Sequence, residues 1–171
     1  MTNTSPWVYL ASQSPRRSEL LRQVGIHHQI LLPQDPHHLM QLELLETPRA
    51  GEPPLHYVKR VTRRKWDAAK AWHAQQNLPL APIICADTTV ALGRLFFGKP
   101  QTIDEARHML EMLSGQRHRV ITTVMVGECH TVLEATSVTQ VHFDNLSPAQ
   151  IEDYLSSGEC FGKAGAYGIQ G

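Results

Sequence analysis

The sequence predicts an α/β fold on a mixed sheet, and three observations carry that expectation. Short apolar or β-branched runs alternate with segments of helical periodicity. A pair of Val/Thr-rich runs, Val120 to Val126 and Val132 to Phe143, is separated by Gly127 to Thr131 and reads as a long antiparallel hairpin. No repeat or low-complexity tract interrupts the chain. A chain of 171 residues buries roughly 70% of its unfolded surface on folding, so it needs neither disulfides nor a structural metal to hold a core.

The elements follow in order. Val8 to Ala11 reads as a short buried strand, and Ser12-Gln13-Ser14-Pro15 as a polar turn whose proline suits the start of a helix. Arg16 to Val24 continues as that helix, with Leu20, Leu21 and Val24 on one face and Gly25 as a left-handed stop. Gln29 to Leu32 is a second strand. Pro33 to Pro54 is a connection with five prolines and a Leu-rich middle, Leu39 to Leu45, that fits one short helix. Leu55 to Gln76 is the longest helix, with Val58, Val61, Ala68, Ala69 and Trp72 at helical spacing and a basic run from Lys59 to Lys65.

Pro82 to Ala86 is another buried strand, closing on Asp87-Thr88-Thr89. Val90 to Leu92 pairs with Leu95 to Phe97 through Gly93-Arg94. Thr102 with Glu105, and Ser147 with Gln150, have capping-box spacing for helices that run to about Leu113 and about Ser156. The whole chain, 1–171, is expected to form a single domain.

Composition excludes several classes. Sixteen Lys+Arg balance 16 Asp+Glu, so the excess of positive charge that displaces counterions from a nucleic acid polymer is missing. The longest apolar stretch, Leu78 to Ala86, is broken by two prolines and falls well short of the roughly 20 residues that span a bilayer. Three Cys, at 85, 129 and 160, form no C-x-x-C pair, which points to a reducing cytoplasm rather than a disulfide framework. The 10 His include no H-E-x-x-H motif, and the pairs His27-His28 and His37-His38 do not share a helical face, so they read as surface residues.

Five segments carry candidate chemistry. Ser12 to Arg17 lies between a strand and a helix start. There, unpaired N–H groups and the helix dipole favour an anion, and Arg16 and Arg17 can fork onto phosphate oxygens. The alternative is a Ser-capped helix with two solvated arginines. Asp87, at a strand end, is placed to hold Mg²⁺ or to take a proton from water, or else closes the strand as an Asx turn. Lys99 in Gly98-Lys99-Pro100 and Lys65 in the basic run are cations suited to phosphate, against the plainer readings of a loop lysine and a solvated helix face. Gln170, in a Gly-dense segment, can read a base edge, against a flexible tail.

Three strings, taken in order, resemble the Maf family over nearly the whole chain: Leu10-Ala11-Ser12-Gln13-Ser14-Pro15-Arg16-Arg17-Ser18-Glu19-Leu20-Leu21; Asp87-Thr88 with Gly98-Lys99-Pro100; and Lys163-Ala164-Gly165-Ala166-Tyr167-Gly168-Ile169-Gln170-Gly171. The resemblance implies an elongated mixed sheet with helices flanking a cleft, and hydrolysis of a nucleoside triphosphate to the monophosphate and pyrophosphate with Mg²⁺ or Mn²⁺. It implies Asp87 as proton acceptor and metal carboxylate. It implies Ser12, Arg16, Arg17, Lys65 and Lys99 as triphosphate binders, and Arg16, Thr88 and Gln170 as the positions that tune substrate preference.

Lys163 to Gly171 is similar to the dTTP/UTP branch; the alternatives are the 7-methyl-GTP branch and a nucleotide-binding, septum-regulating protein without turnover. Where the family carries an acidic pair after the second strand, this chain has Gln34-Asp35-Pro36-His37-His38, retaining Asp35. Because family members generally continue past the Ile-Gln-Gly step, a C-terminal strand and helix are expected to be absent, with a homodimer as one way to cover the exposed sheet edge.

Overall fold

The computed structural model describes residues 7–33, 35, 40, 44–128 and 131–169. Strand β1 (Trp7–Leu10) pairs in parallel with β2 (His27–Ile30), Trp7 opposite His27 and Leu10 opposite Ile30. On its other edge β1 pairs in parallel with β3 (Ile83–Leu92), Tyr9 opposite Ile83. Farther along, β3 pairs antiparallel with β4 (Leu95–Phe97), Val90 opposite Phe97. With β5 (Arg117–Gly127) and β6 (Val132–His142) the strand order is β2-β1-β3-β5-β6, and β4 lies beside β3 off that path. Parallel and antiparallel pairs in one sheet, with helices α1 (Pro15–Gln23), α2 (Pro54–Gln75), α3 (Ile103–Leu113) and α4 (Pro148–Ser156), make the mixed α/β fold that the sequence predicts.

The chain divides into two compact units. The first comprises Met1–Glu52, Lys59–Asp87 and Thr123–Thr136, and the second Pro53–Val58, Thr88–Thr122 and Ser137–Gly171. The core of the first gathers Tyr9, Leu31, Trp66, Ala69, Ile83, Cys85 and Met125, all buried. Helix α2 contributes Val61, Thr62, Trp66 and Ala69 to its buried side while Arg63 and Arg64 face solvent, which explains how a basic run fits a core helix. The second unit packs α3 against α4 through Ala106, Leu110, Ile151 and Leu155, with Leu113 against Val90 and Phe97. Fully burying a Leu, Ile, Val or Phe side chain in this way contributes about 1.5–3 kcal/mol.

Local signals set most boundaries. Pro15 opens α1, and Gly25 follows it with φ 73°. Ser147 and Gln150 form a full reciprocal capping box on α4. Thr102 accepts from the Glu105 amide, but the Glu105 carboxylate accepts from the Gln101 N–H, so α3 has half of the expected box.

Three expectations are corrected. The second strand begins at His27 and ends at Ile30, two residues earlier than hydrophobicity suggests, because its register is set by pairing with β1. The run Pro82 to Ala86 does not end in a turn at Asp87. One ten-residue strand passes through Asp87 and on to Leu92, since its neighbour changes from β1 to β4 while the Thr-rich backbone stays extended. His118 is not a surface residue. It is 3% exposed, its Nε2 is 2.7 Å from the Tyr167 hydroxyl, and its ring meets Phe143 edge-on. The expected short helix at Leu39 to Leu45 falls largely outside the described residues, as does Gln34 to His38 apart from Asp35.

Candidate functional site

The first unit brings Ser12, Arg17, Lys65 and Asp87 into one connected set. Ser12 lies just past β1 and is buried, and its Oγ accepts from the Ser14 N–H at 3.2 Å and from Arg17 Nη1 at 3.0 Å. The same Arg17 nitrogen donates to the Ala86 carbonyl at 2.7 Å, one residue before Asp87. Arg17 therefore ties the start of α1 to the middle of β3. Burial pushes its guanidinium below the ordinary arginine value, and the negative charge of Asp87 opposes that shift.

The start of α1 is prepared for an anion. Ser14 is the N-cap, its side chain makes no capping hydrogen bond among the described residues, and the first turn contains no acidic side chain. Pro15, which has no N–H, occupies the first turn, and the amides beyond it carry the positive end of the helix dipole. Arg16 projects from this turn and is exposed.

Asp87 sits in the interior of β3, its side chain 9% exposed. Its Oδ1 accepts from Lys65 Nζ at 2.6 Å. The same ammonium lies 2.7 Å from Glu46 Oε1, so one cation is shared by two carboxylates. Burial raises the carboxyl of Asp87 above the usual aspartate range. Lys65 and Arg17 pull it back down, and Glu46 adds to the rise. Next to it, burial pushes the Cys85 thiol up to about 12, so that sulfur stays protonated and inert at neutral pH.

Of the remaining predicted residues, two belong to the second unit and one is outside the described residues. Thr88 belongs to the second unit, where its hydroxyl is 2.9 Å from that of Thr122. Lys99, also in the second unit, is exposed two residues past β4. Gln170 is outside the described residues. The Gly-dense segment is not a loose tail over its described part. Gly165 donates its N–H to the Gly98 carbonyl at 3.0 Å and holds φ 71°, and a Cβ there would come within 2.9 Å of Val90 Cγ2. Glycine at 165 therefore answers both to backbone conformation and to close packing.

Glu46 is the residue of this set that sequence reasoning missed. It lies in a proline-rich connection with no periodic pattern, and nothing local marks it as a partner of Lys65 or Asp87.

A half-buried arginine and lysine around a buried carboxylate, beside a helix start that lacks acidic groups, define an anion-handling site with a general-base candidate at its centre. Residues 7–171 match the family of Maf-like proteins, and the chain belongs to the Maf family. A protein from Polaromonas named dTTP/UTP pyrophosphatase is 50% identical over 165 residues, covering 96% of this chain and 80% of the relative. Proteins of the same name from Albidiferax ferrireducens and Ralstonia nicotianae are 47% and 48% identical, over 98% and 97% of this chain and 82% and 79% of their own lengths. The family match continues to residue 171, and the chain spans about four fifths of the length of these relatives.

Proposed function

We propose that this protein is a nucleoside triphosphate pyrophosphatase that hydrolyses dTTP and UTP to the monophosphate and pyrophosphate. The observation that carries the reading is the Lys65–Asp87 pair, a half-buried lysine on a buried carboxylate, adjacent to the Ser12–Arg17 cradle. The names of relatives at 47–50% identity supply the pyrimidine preference.

In this reading the amides at the start of α1, with Ser12, Arg16 and Arg17, hold the triphosphate, and Lys65 and Lys99 neutralise charge on its oxygens. Asp87 takes the proton from the water that attacks the α-phosphorus. The electron pair of the breaking P–O bond leaves with the β-phosphate, so pyrophosphate is the second product. A carboxylate made more basic by burial suits this task, and Lys65 keeps it ionised and aimed. Arg16, Thr88 and Gln170 set substrate preference.

The donor chemistry also fits a hard divalent cation, Mg²⁺ or Mn²⁺. Such ions take protein carboxylate oxygens and complete their shell with water and substrate phosphates, so the absence of a group of three or more His, Cys, Asp or Glu among the described residues is compatible with one. Asp87 would hold it, and it would supply charge neutralisation on the phosphates.

Pyrophosphate release from dTTP, UTP, CTP, GTP and 7-methyl-GTP, with Mg²⁺ and then Mn²⁺, tests the proposal. Release is expected chiefly from dTTP and UTP. Release confined to 7-methyl-GTP would move the protein to that branch, and tight nucleotide binding without any release would make it a binding protein.

A further inference from the structure

We propose that His118 is a positioning residue for the lysine loop of the second unit: through Tyr167 it fixes the Gly-dense segment, which in turn holds Gly98, the residue before Lys99. The inference rests on the reading of Lys99 as a triphosphate binder.

The segment needs holding. Gly165 and Ala166 are consecutive left-handed residues, with φ 71° and 63°, and an alanine takes that conformation only against a steric cost. Such backbone persists where its surroundings over-determine it. Ala166 is fully buried, and three contacts tie the turn down. The Gly165 N–H donates to the Gly98 carbonyl at 3.0 Å, the Ala166 N–H donates to the Lys163 carbonyl at 3.1 Å, and the Tyr167 hydroxyl lies 2.7 Å from His118 Nε2. The first of these reaches the lysine loop, and the last reaches β5, to which His118 belongs.

The chemistry of that last contact argues for direction, not bulk. His118, Tyr167 and Phe143 stand mutually edge-on, with ring centroids 4.7–5.5 Å apart. An apolar ring at 118 would fill the same space without burying polar atoms, which cost free energy when they leave water. What the imidazole adds is a partner for the Tyr167 hydroxyl. Burial holds His118 below the ordinary histidine value and pushes Tyr167 up to about 12. At neutral pH two uncharged groups therefore meet, one donating and one accepting. The orientation of Tyr167 is set by this contact, and with it the turn whose Gly165 amide grips Gly98.

The test is a calorimetric titration of the full-length protein, with Mg²⁺ present, using a dTTP analogue whose α–β bridge is methylene and so resists hydrolysis. Titrations are run below the onset of melting for every variant, so loss of folded protein does not enter. Tyr167→Phe, which keeps the ring and removes only the hydroxyl, is expected to raise Kd about two- to tenfold, the range of one net hydrogen bond. His118→Phe should do the same, and the double variant should be no worse than either. The deciding comparison is in a Lys99→Ala background, where Tyr167→Phe should add nothing. A contact that only stabilises the fold would leave binding unchanged, or would weaken it by the same factor with and without Lys99; either result overturns the inference.

The outcome is separable from the functional reading, because binding is measured instead of turnover. Pyrophosphate release by a protein whose binding ignores Tyr167 leaves the enzyme and removes the positioning role. Binding that weakens in Tyr167→Phe only when Lys99 is present, with no release from any nucleotide, does the reverse. An unmutated chain that does not bind the analogue overturns the inference as well.

Discussion

Each unit contains one cation held between two carboxylates, and the two arrangements have opposite physical character. In the first unit Lys65 stands between Asp87 and Glu46, with side-chain exposures of 17%, 9% and 31%. In the second, Arg107 on α3 bonds Asp104 and reaches Glu152 on α4 at 2.6 Å, with both carboxylates largely in water. The exposed set gives up little hydration and gains little, as is usual for surface ion pairs. The buried set surrenders the hydration of its charges, a cost that well-packed apolar side chains would avoid. Retaining it inside a strand that otherwise buries Cys85, Ala86 and Val90 is best explained by chemistry at that point, not by stability.

The largest effect is expected for Asp87→Asn, which preserves shape and removes the base. Pyrophosphate release should fall about 10²–10⁴-fold while nucleotide binding persists, and retained turnover would show that the buried set is structural.

Next in size is Lys65→Ala, which strands the charge of Asp87. Chemical denaturation at neutral pH should show a loss of about 3–5 kcal/mol, as for other broken buried pairs. Burial holds the Asp87 carboxyl above its unfolded value, and losing Lys65 raises it further. The unfolded chain then releases its proton first, so the penalty should be small in acid and grow as pH rises. The double variant Lys65→Met with Asp87→Asn should recover most of the loss.

A smaller effect concerns His118, whose imidazole burial pushes below the ordinary histidine value. Between the folded value and the unfolded value of about 6.5, the unfolded chain binds more protons. His118 therefore contributes stability that is present above about pH 6.5 and is lost as pH falls through the folded value. Melting curves from neutral to mildly acidic pH should show this decline, and His118→Gln should flatten it. The smallest change is expected for Arg107→Gln, which should leave the melting midpoint and the rate of pyrophosphate release where they were.

The same division explains what the sequence made legible. The starts of α1, α3 and α4 are written in Pro15, Thr102 and Ser147, because capping depends on neighbours a few residues away. The β3–β4 turn is likewise marked by Gly93, with φ 61°. The continuity of β3 through Asp87 was hidden, since it depends on which strand lies alongside, and Asp and Thr together also spell a turn. Ser12, Arg17, Lys65 and Asp87 were legible as residue types beside a strand and a helix start. Glu46 was not, because its meaning lies in a long-range contact with Lys65 and the surrounding loop has no period. His118 was missed for a related reason: its burial depends on Tyr167 and Phe143, far along the chain.

Whether a water activated beside Asp87 attacks the α-phosphorus is read out by hydrolysing dTTP in ¹⁸O-labelled water and locating the label by mass spectrometry. One ¹⁸O is expected in the thymidine monophosphate and none in the pyrophosphate, with both products greatly reduced when Asp87 is replaced by Asn. Label in pyrophosphate or in inorganic phosphate would place the attack at a different phosphorus and contradict this assignment.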